Sequence, residues 1–289
     1  MPEKRIYIDG RFYTERNAKM SVFDHGLLYG DGIFETMLAG NGTVFKLDEH
    51  VSRLFRSAKL ISLKTGLTRN AVKKIIYKAL RKNRLKDAYV RFAVTRGKGK
   101  VGLSPNLCPK PSVFVIAERF KPLPEAVYRK GVGIIISKTR RNIPSALDPR
   151  IKSSNFLNNI LAKIEAQKYG AFDAVMLNAA GCVAEASVSN IFFARGGVLK
   201  TPALSAGILP GITRSNVLKL AKKLKIKTEQ GLYKPAELSG ADEVFLTNTS
   251  LGIMPVSKIG NSPVNNKKNL NLTAKLQSAY KEFLINSCG

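Results

Sequence analysis

The loop Leu209-Pro210-Gly211-Ile212-Thr213-Arg214 ends where a helix opens. Glycine there lets backbone approach a ligand, and the unpaired N–H groups at a helix start attract phosphate or carboxylate. A plain Gly-Pro loop with Thr213 as helix cap fits the same residues. Thr247-Asn248-Thr249-Ser250 follows the apolar run 244–246; its hydroxyls and amides suit either an anion or a solvated turn. Arg53, one turn before Arg56 on a helix, is an anion ligand or a surface cation. Lys152 stands just ahead of a helix expected to bury Phe156, Leu157, Ile160, Leu161 and Ile164. Glu185 sits in the small, apolar run Val183-Ala184-Glu185-Ala186-Ser187, where a carboxylate is partly buried and needs a partner. Each of the last two is a functional or a structural residue by this evidence alone. Neither of the two histidines, His25 and His50, lies in an HExxH or GxSxG setting, so neither marks a zinc protease or a serine hydrolase.

The elements that would position these groups follow from periodicity and turn residues. Ile6–Ile8, the Asp9-Gly10 turn and Arg11–Tyr13 predict a hairpin. A glycine-rich loop leads to a strand at 33–38, and Gly40-Asn41-Gly42 turns into 44–45. Asp48 is the expected cap of a helix carrying Val51, Leu54, Phe55 and Ala58; Thr68 is the expected cap of a second, ending near Lys82. Strands follow at 88–95 and 112–118. The spacing then predicts a strand at 131–137, a helix at 155–169, strands at 173–178, 189–195 and 198–201, and a helix at 213–224. Strands at 243–247 and 254–259 and a helix at 273–285 complete it. This pattern predicts an α/β (α+β) chain of two domains: 1–120, a connector over 121–130 marked by Pro122 and Pro124, and 131–289. The natural ligand site is a cleft between them.

Composition narrows the class. The chain has 289 residues, is 44% hydrophobic and 8% aromatic, which is ordinary globular composition. No apolar run reaches the length of a membrane span, and the N-terminal residues have no apolar core of the signal-peptide kind. Three widely spaced cysteines (Cys108, Cys182, Cys288) without a CxxC pair argue against a disulfide framework and a structural zinc site, and fit a reducing cytoplasm. The net charge is +28. Its basic runs (138–141, 219–227, 258–268) carry no RNA- or DNA-binding motif and read as solvated faces, so no specific nucleic-acid partner is expected.

Taken together, the segments YGDGIFETM (29–37), HVSRLFRSA (50–58), YVRFAVTRG (89–97), IKSSNFLNNILAKIEA (151–166), EASVSNIFF (185–193), LKTPALSAGILPGITR (199–214) and TNTSLGIMPV (247–256) resemble the class-IV aminotransferases. These are pyridoxal-phosphate (PLP) enzymes of fold type IV, and the likeness spans nearly the whole chain. The resemblance implies a smaller N-terminal α+β domain, a larger β-rich C-terminal domain and PLP as cofactor. It implies that Lys152 forms the Schiff base and shuttles the proton, and that Glu185 faces the pyridine nitrogen. Arg53, the Ile212 and Thr213 amides and the Thr249 hydroxyl are then implied to hold the phosphate, and the Ser250 and Leu251 amides the substrate carboxylate. Tyr29 and Phe34 are expected to line the side-chain pocket, with Tyr89 and Arg91 at the distal carboxylate of glutamate.

Tyr89-Val90-Arg91 and the loop 101–113 resemble the branched-chain subfamily, which implies ping-pong transamination between a branched-chain L-amino acid and 2-oxoglutarate. The D-amino acid aminotransferases and the aminodeoxychorismate lyases share the scaffold, and Lys152-Ser153-Ser154-Asn155 recurs in D-specific enzymes. A basic nucleic-acid- or partner-binding protein on a decayed scaffold is the alternative of another class, against which Lys152 and Glu185 both stand. The expected partners are small amino and 2-oxo acids and a second copy of the chain, as a homodimer or higher homo-oligomer, with no membrane and no metal.

Overall fold

A computed structural model describes residues 3–264 and 271–288, so the basic run 258–268 is seen only in part and the Cys288 side chain lies outside the described residues. The chain divides into two units. One comprises Met1–Lys121, Ile151–Phe156 and Ile285–Gly289; the other comprises Pro122–Arg150 and Leu157–Leu284. The short segment carrying Lys152 thus belongs to the first unit, not to the continuous second half expected from residue 131. The expected connector is also more ordered than Pro122 and Pro124 suggested, since residues 125–130 form a helix that Pro124 precedes.

The first unit is built from β1 (Arg5–Ile8), β2 (Arg11–Thr14), α1 (His25–Tyr29), β3 (Gly32–Gly40) and β4 (Thr43–Val44). It continues with α2 (Leu47–Leu60), α3 (Arg69–Lys82), β5 (Ala88–Thr95) and β6 (Ser112–Arg119). Its strands form an antiparallel sheet in the order β2-β1-β6-β5-β3-β4. Asp9 and Gly10 both take positive φ (44° and 94°), which the hairpin between β1 and β2 requires. Thr68 caps α3 by accepting the Ala71 N–H. Asp48 does not cap α2. That role falls to Lys46 in the left-handed region, and Asp48 lies inside the first turn, where its charge still suits the helix dipole. Apolar residues of α2 and α3 (Val51, Leu54, Val72, Ile76) pack with Met37, Val90 and Phe92 of the sheet.

The second unit runs α4 (Glu125–Lys130), β7 (Val132–Ile136), α5 (Leu157–Lys168), β8 (Asp173–Leu177), β9 (Val183–Ala186), β10 (Asn190–Arg195) and β11 (Val198–Pro202). Then come α6 (Ile212–Lys223), β12 (Thr228–Gly231), α7 (Pro235–Ser239), β13 (Glu243–Asn248), β14 (Gly252–Ile259), β15 (Ser262–Pro263) and most of α8 (Leu272–Cys288), whose residues from 285 on belong to the first unit. Its mixed sheet has the order β12-β11-β10-β13-β14-β7-β8-β9, with β15 paired to β14. β7 lies parallel to both β14 and β8. The core face of α5 is not the expected one. Asn159, Ala162 and Ala166 are buried, while Leu157, Ile160, Leu161 and Ile164 are 42–64% exposed. Small residues let α5 lie close on β8, and this turns the large apolar residues outward. No described helix is long and apolar enough to cross a membrane.

Candidate functional site

In the first unit the segment 151–156 is stitched to β3 and α2 through its backbone. The Phe34 N–H donates to the Lys152 carbonyl (3.0 Å), and the Ser154 N–H to the Gly32 carbonyl (2.8 Å). Lys152 N–H donates to Ser57 Oγ on α2 (3.1 Å). Both sides of the residue are thus pinned, which fixes where the Lys152 side chain starts. Its Nζ lies 4.5 Å from the centroid of the Phe34 ring, and the Arg91 guanidinium carbon lies 3.7 Å from the same centroid. Two cations therefore share one aromatic plate. Phe156 meets that ring edge-on at 5.4 Å. Tyr89 and Arg91 alternate with Val90 on one face of β5, and the Tyr89 hydroxyl lies 3.5 Å from Thr36 Oγ1.

Arg53 is buried, with a fork to Glu35: Nε to Oε1 and Nη2 to Oε2, both 2.8 Å. His50 Nδ1 lies 2.7 Å from Glu35 Oε2. Burial by itself would raise the Glu35 pKa, but the Arg53 charge and the bonds from Arg53 and His50 hold it at about 2. Burial also lowers the His50 pKa, and the Arg53 and Lys152 charges act in the same direction against the pull of Glu35. Tyr29 is engaged elsewhere in the unit: its hydroxyl accepts the Gly102 N–H (2.9 Å), and its ring meets that of His25 edge-on. Phe34 and Tyr29, expected to line one pocket, thus have different neighbours.

In the second unit Glu185 is buried, and three donors converge on it. Arg141 Nε donates to Oε1 (2.9 Å); Asn190 Nδ2 and the Leu209 N–H both donate to Oε2 (3.0 Å). Asn190 Nδ2 also donates to the Leu209 carbonyl, which clamps the loop before α6 onto the same side chain. Gly211 is the N-cap of α6, and a Cβ there would lie 1.9 Å from Asn190 Oδ1. Only glycine fits. The N–H groups of Ile212 and Thr213 follow at the helix start, where the helix itself supplies no acceptor. The buried Thr213 side chain also bonds Tyr280.

Thr249, Ser250 and Leu251 form the turn between β13 and β14. The Leu251 N–H, assigned to a substrate carboxylate, donates to Asn248 Oδ1 (2.8 Å), because the Asn side chain closes its own turn.

Arg141, Asn190, Glu35 and His50 escaped the sequence analysis as site residues. Arg141 lay within a run read as solvated, yet it is buried on Glu185. Glu35 sits beside Phe34 in YGDGIFETM with only its charge, in an apolar strand, to betray it. Each unit holds groups that fit a phosphorylated, aromatic cofactor: the first a buried guanidinium and a lysine amine over an aromatic ring, the second a glycine-fronted helix start and a buried carboxylate.

Comparisons with known proteins agree on one family. The sequence model for amino-transferase class IV matches residues 32–259. The chain is 43% identical to a protein provisionally named a branched-chain-amino-acid aminotransferase in Methanocaldococcus jannaschii, over 96% of both chains. It is 34% identical to an aminodeoxychorismate lyase of Bacillus subtilis, over 97% of this chain and 95% of the other. Among solved structures, the branched-chain aminotransferase of Thermoproteus uzoniensis with norvaline superposes with a TM-score of 0.91; it is 34% identical and covers 99% of this chain and 96% of its own. The PLP form of the branched-chain amino acid aminotransferase of Thermobaculum terrenum superposes with a TM-score of 0.87. It is 26% identical and covers 99% of this chain and 95% of its own.

Proposed function

Because the chain belongs to the class IV aminotransferases, we propose that it transfers the amino group of a branched-chain L-amino acid to 2-oxoglutarate, with PLP as cofactor. PLP supplies, when bound, an electron sink for the pair left behind as the substrate α-proton departs. Lys152 Nζ is the base that takes that proton and later returns one. Glu185 holds the proton on the pyridine nitrogen; Arg141, Asn190 and Leu209 keep its carboxylate aimed. Arg53, the Ile212 and Thr213 amides and the Thr249 hydroxyl would hold the phosphate, and the Ser250 amide the substrate carboxylate.

The observation that carries the substrate reading is the Phe34 ring with the Arg91 and Lys152 cations over it. An apolar plate suits an aliphatic side chain, and a guanidinium beside it suits the distal carboxylate of glutamate. Tyr89 stands on the same strand face as Arg91. The exposed apolar stripe of α5 supports a homodimer, and the absence of a cysteine framework supports a cytoplasmic site of action.

Borohydride reduction of the PLP-loaded protein followed by peptide mapping is expected to label Lys152, and Lys152→Ala to fold but not transaminate. Label on another lysine overturns the assignment. A panel of L- and D-amino acids with 2-oxoglutarate is expected to favour L-leucine, L-isoleucine and L-valine. Turnover of D-alanine in their place, or release of pyruvate from aminodeoxychorismate, would move the chain to a neighbouring subfamily.

A further inference from the structure

Glu35 has no part in the reaction just described, yet three hydrogen bonds converge on its buried carboxylate. Two come from the Arg53 fork and the third from His50. His50, Arg53 and Ser57 recur at i, i+3 and i+7 on α2, so one helix face carries all three, and each is buried. Ser57 in turn holds the Lys152 backbone. His50, kept neutral, presents Nδ1–H to an acceptor that is ionised at any ordinary pH.

A buried ion pair contributes little net stability once its desolvation is counted; what a parallel carboxylate–guanidinium fork supplies is orientation. The negative charge of Glu35 also offsets the positive charge of Arg53, so the pair draws an anion less strongly than a bare guanidinium would. What the arrangement gains in exchange is a guanidinium plane set before the ligand arrives, which lowers the entropy lost on binding.

We propose that Glu35, braced by His50, is a positioning residue that fixes the Arg53 guanidinium for the phosphate of the cofactor. The inference rests on the reading of Arg53 as a phosphate ligand. It assigns a purpose to two buried polar residues that neither core packing nor the proton transfer explains.

The test compares PLP with pyridoxal, which has the same ring and aldehyde but no phosphate. Dissociation constants of both are measured by fluorescence titration of the apoprotein, with the thermal midpoint of each variant alongside. Glu35→Gln is expected to weaken PLP about tenfold and leave pyridoxal unchanged, the loss of one charge-assisted contact's worth of alignment. Arg53→Ala is expected to weaken PLP as well, and the double variant to match Arg53→Ala alone. Equal weakening of PLP and pyridoxal, no weakening of PLP, or a Glu35→Gln effect that persists in the Arg53→Ala background overturns the proposal. Unchanged PLP affinity in Arg53→Ala overturns the phosphate reading instead. Should Glu35→Gln fail to fold, His50→Gln decides: a PLP-selective loss of about threefold supports the proposal, and an unselective loss or none sinks it.

Discussion

Arg91 and Phe34 face each other across adjacent strands, with the guanidinium carbon 3.7 Å from the ring centroid. The ring meets the cation while remaining an apolar surface, and on the proposed reading this lets one pocket serve leucine and glutamate in turn. Arg91→Ala removes the charge and keeps the surface. It is expected to lower kcat/KM for glutamate and 2-oxoglutarate by about 10- to 100-fold, the worth of a charge-assisted pair. The leucine half-reaction should change by no more than about threefold, because the apolar wall that binds it persists. Equal losses in the two half-reactions, measured separately, would make Arg91 a structural residue. Glu185→Gln addresses the other end of the chemistry. A neutral amide does not hold a proton on the ring nitrogen, so kcat is expected to fall on the order of a hundredfold while PLP still binds. The variant also strips the buried Arg141 of its anion, so its thermal midpoint falls and kcat must be read per folded, PLP-loaded molecule. Near-normal kcat would end the electron-sink role.

α2 shows how an element can carry both legible and hidden information. Its apolar spacing is plain in the sequence, and so are the Thr68 cap of α3 and the Asp9-Gly10 hairpin, since each depends on residues a few positions apart. What the sequence does not display is long-range pairing. Glu35 and Arg53 are eighteen positions apart, and Arg141 and Glu185 forty-four. Charged residues without a local partner look alike whether solvated or buried, and so Arg141 passed for a surface cation. The same pairing predicts how the first unit responds to acid. His50 is more easily protonated unfolded than folded, so the stability it contributes is complete above its unfolded pKa of 6.5 and declines as pH falls below it. Glu35 goes from about 4.5 unfolded to about 2 folded, so its contribution is present above 4.5 and is lost between 4.5 and 2. Urea midpoints of the apoprotein are expected to drop in two stages, below about pH 6.5 and again below about pH 4.5. His50→Gln should abolish the upper stage and keep the lower. A single transition near pH 4 in both proteins would contradict the assignment.

For the molecule as a whole, charge and apolar surface act against each other. A net charge of +28 keeps copies of the chain apart, whereas Leu157, Ile160, Leu161 and Ile164 offer a continuous apolar face on α5. In the proposed homodimer two such faces related by a twofold axis would cover each other, and each apolar side chain withdrawn from water would be worth up to about 1.5–3 kcal/mol. Four per copy are expected to outweigh the repulsion once salt shortens its range to about 8 Å at 0.15 M. The chain is therefore expected to sediment as a dimer at physiological ionic strength and to loosen as salt is withdrawn, the reverse of an interface held by ion pairs. Ile160→Lys places a cation in the middle of the face in both copies and should give monomers at 0.15 M salt. Because Ile160 is half exposed in the single chain, the folded monomer should tolerate the change, and its circular dichroism should match that of the parent. Dimers that survive Ile160→Lys, or that strengthen as salt is removed, would show that another surface joins the copies.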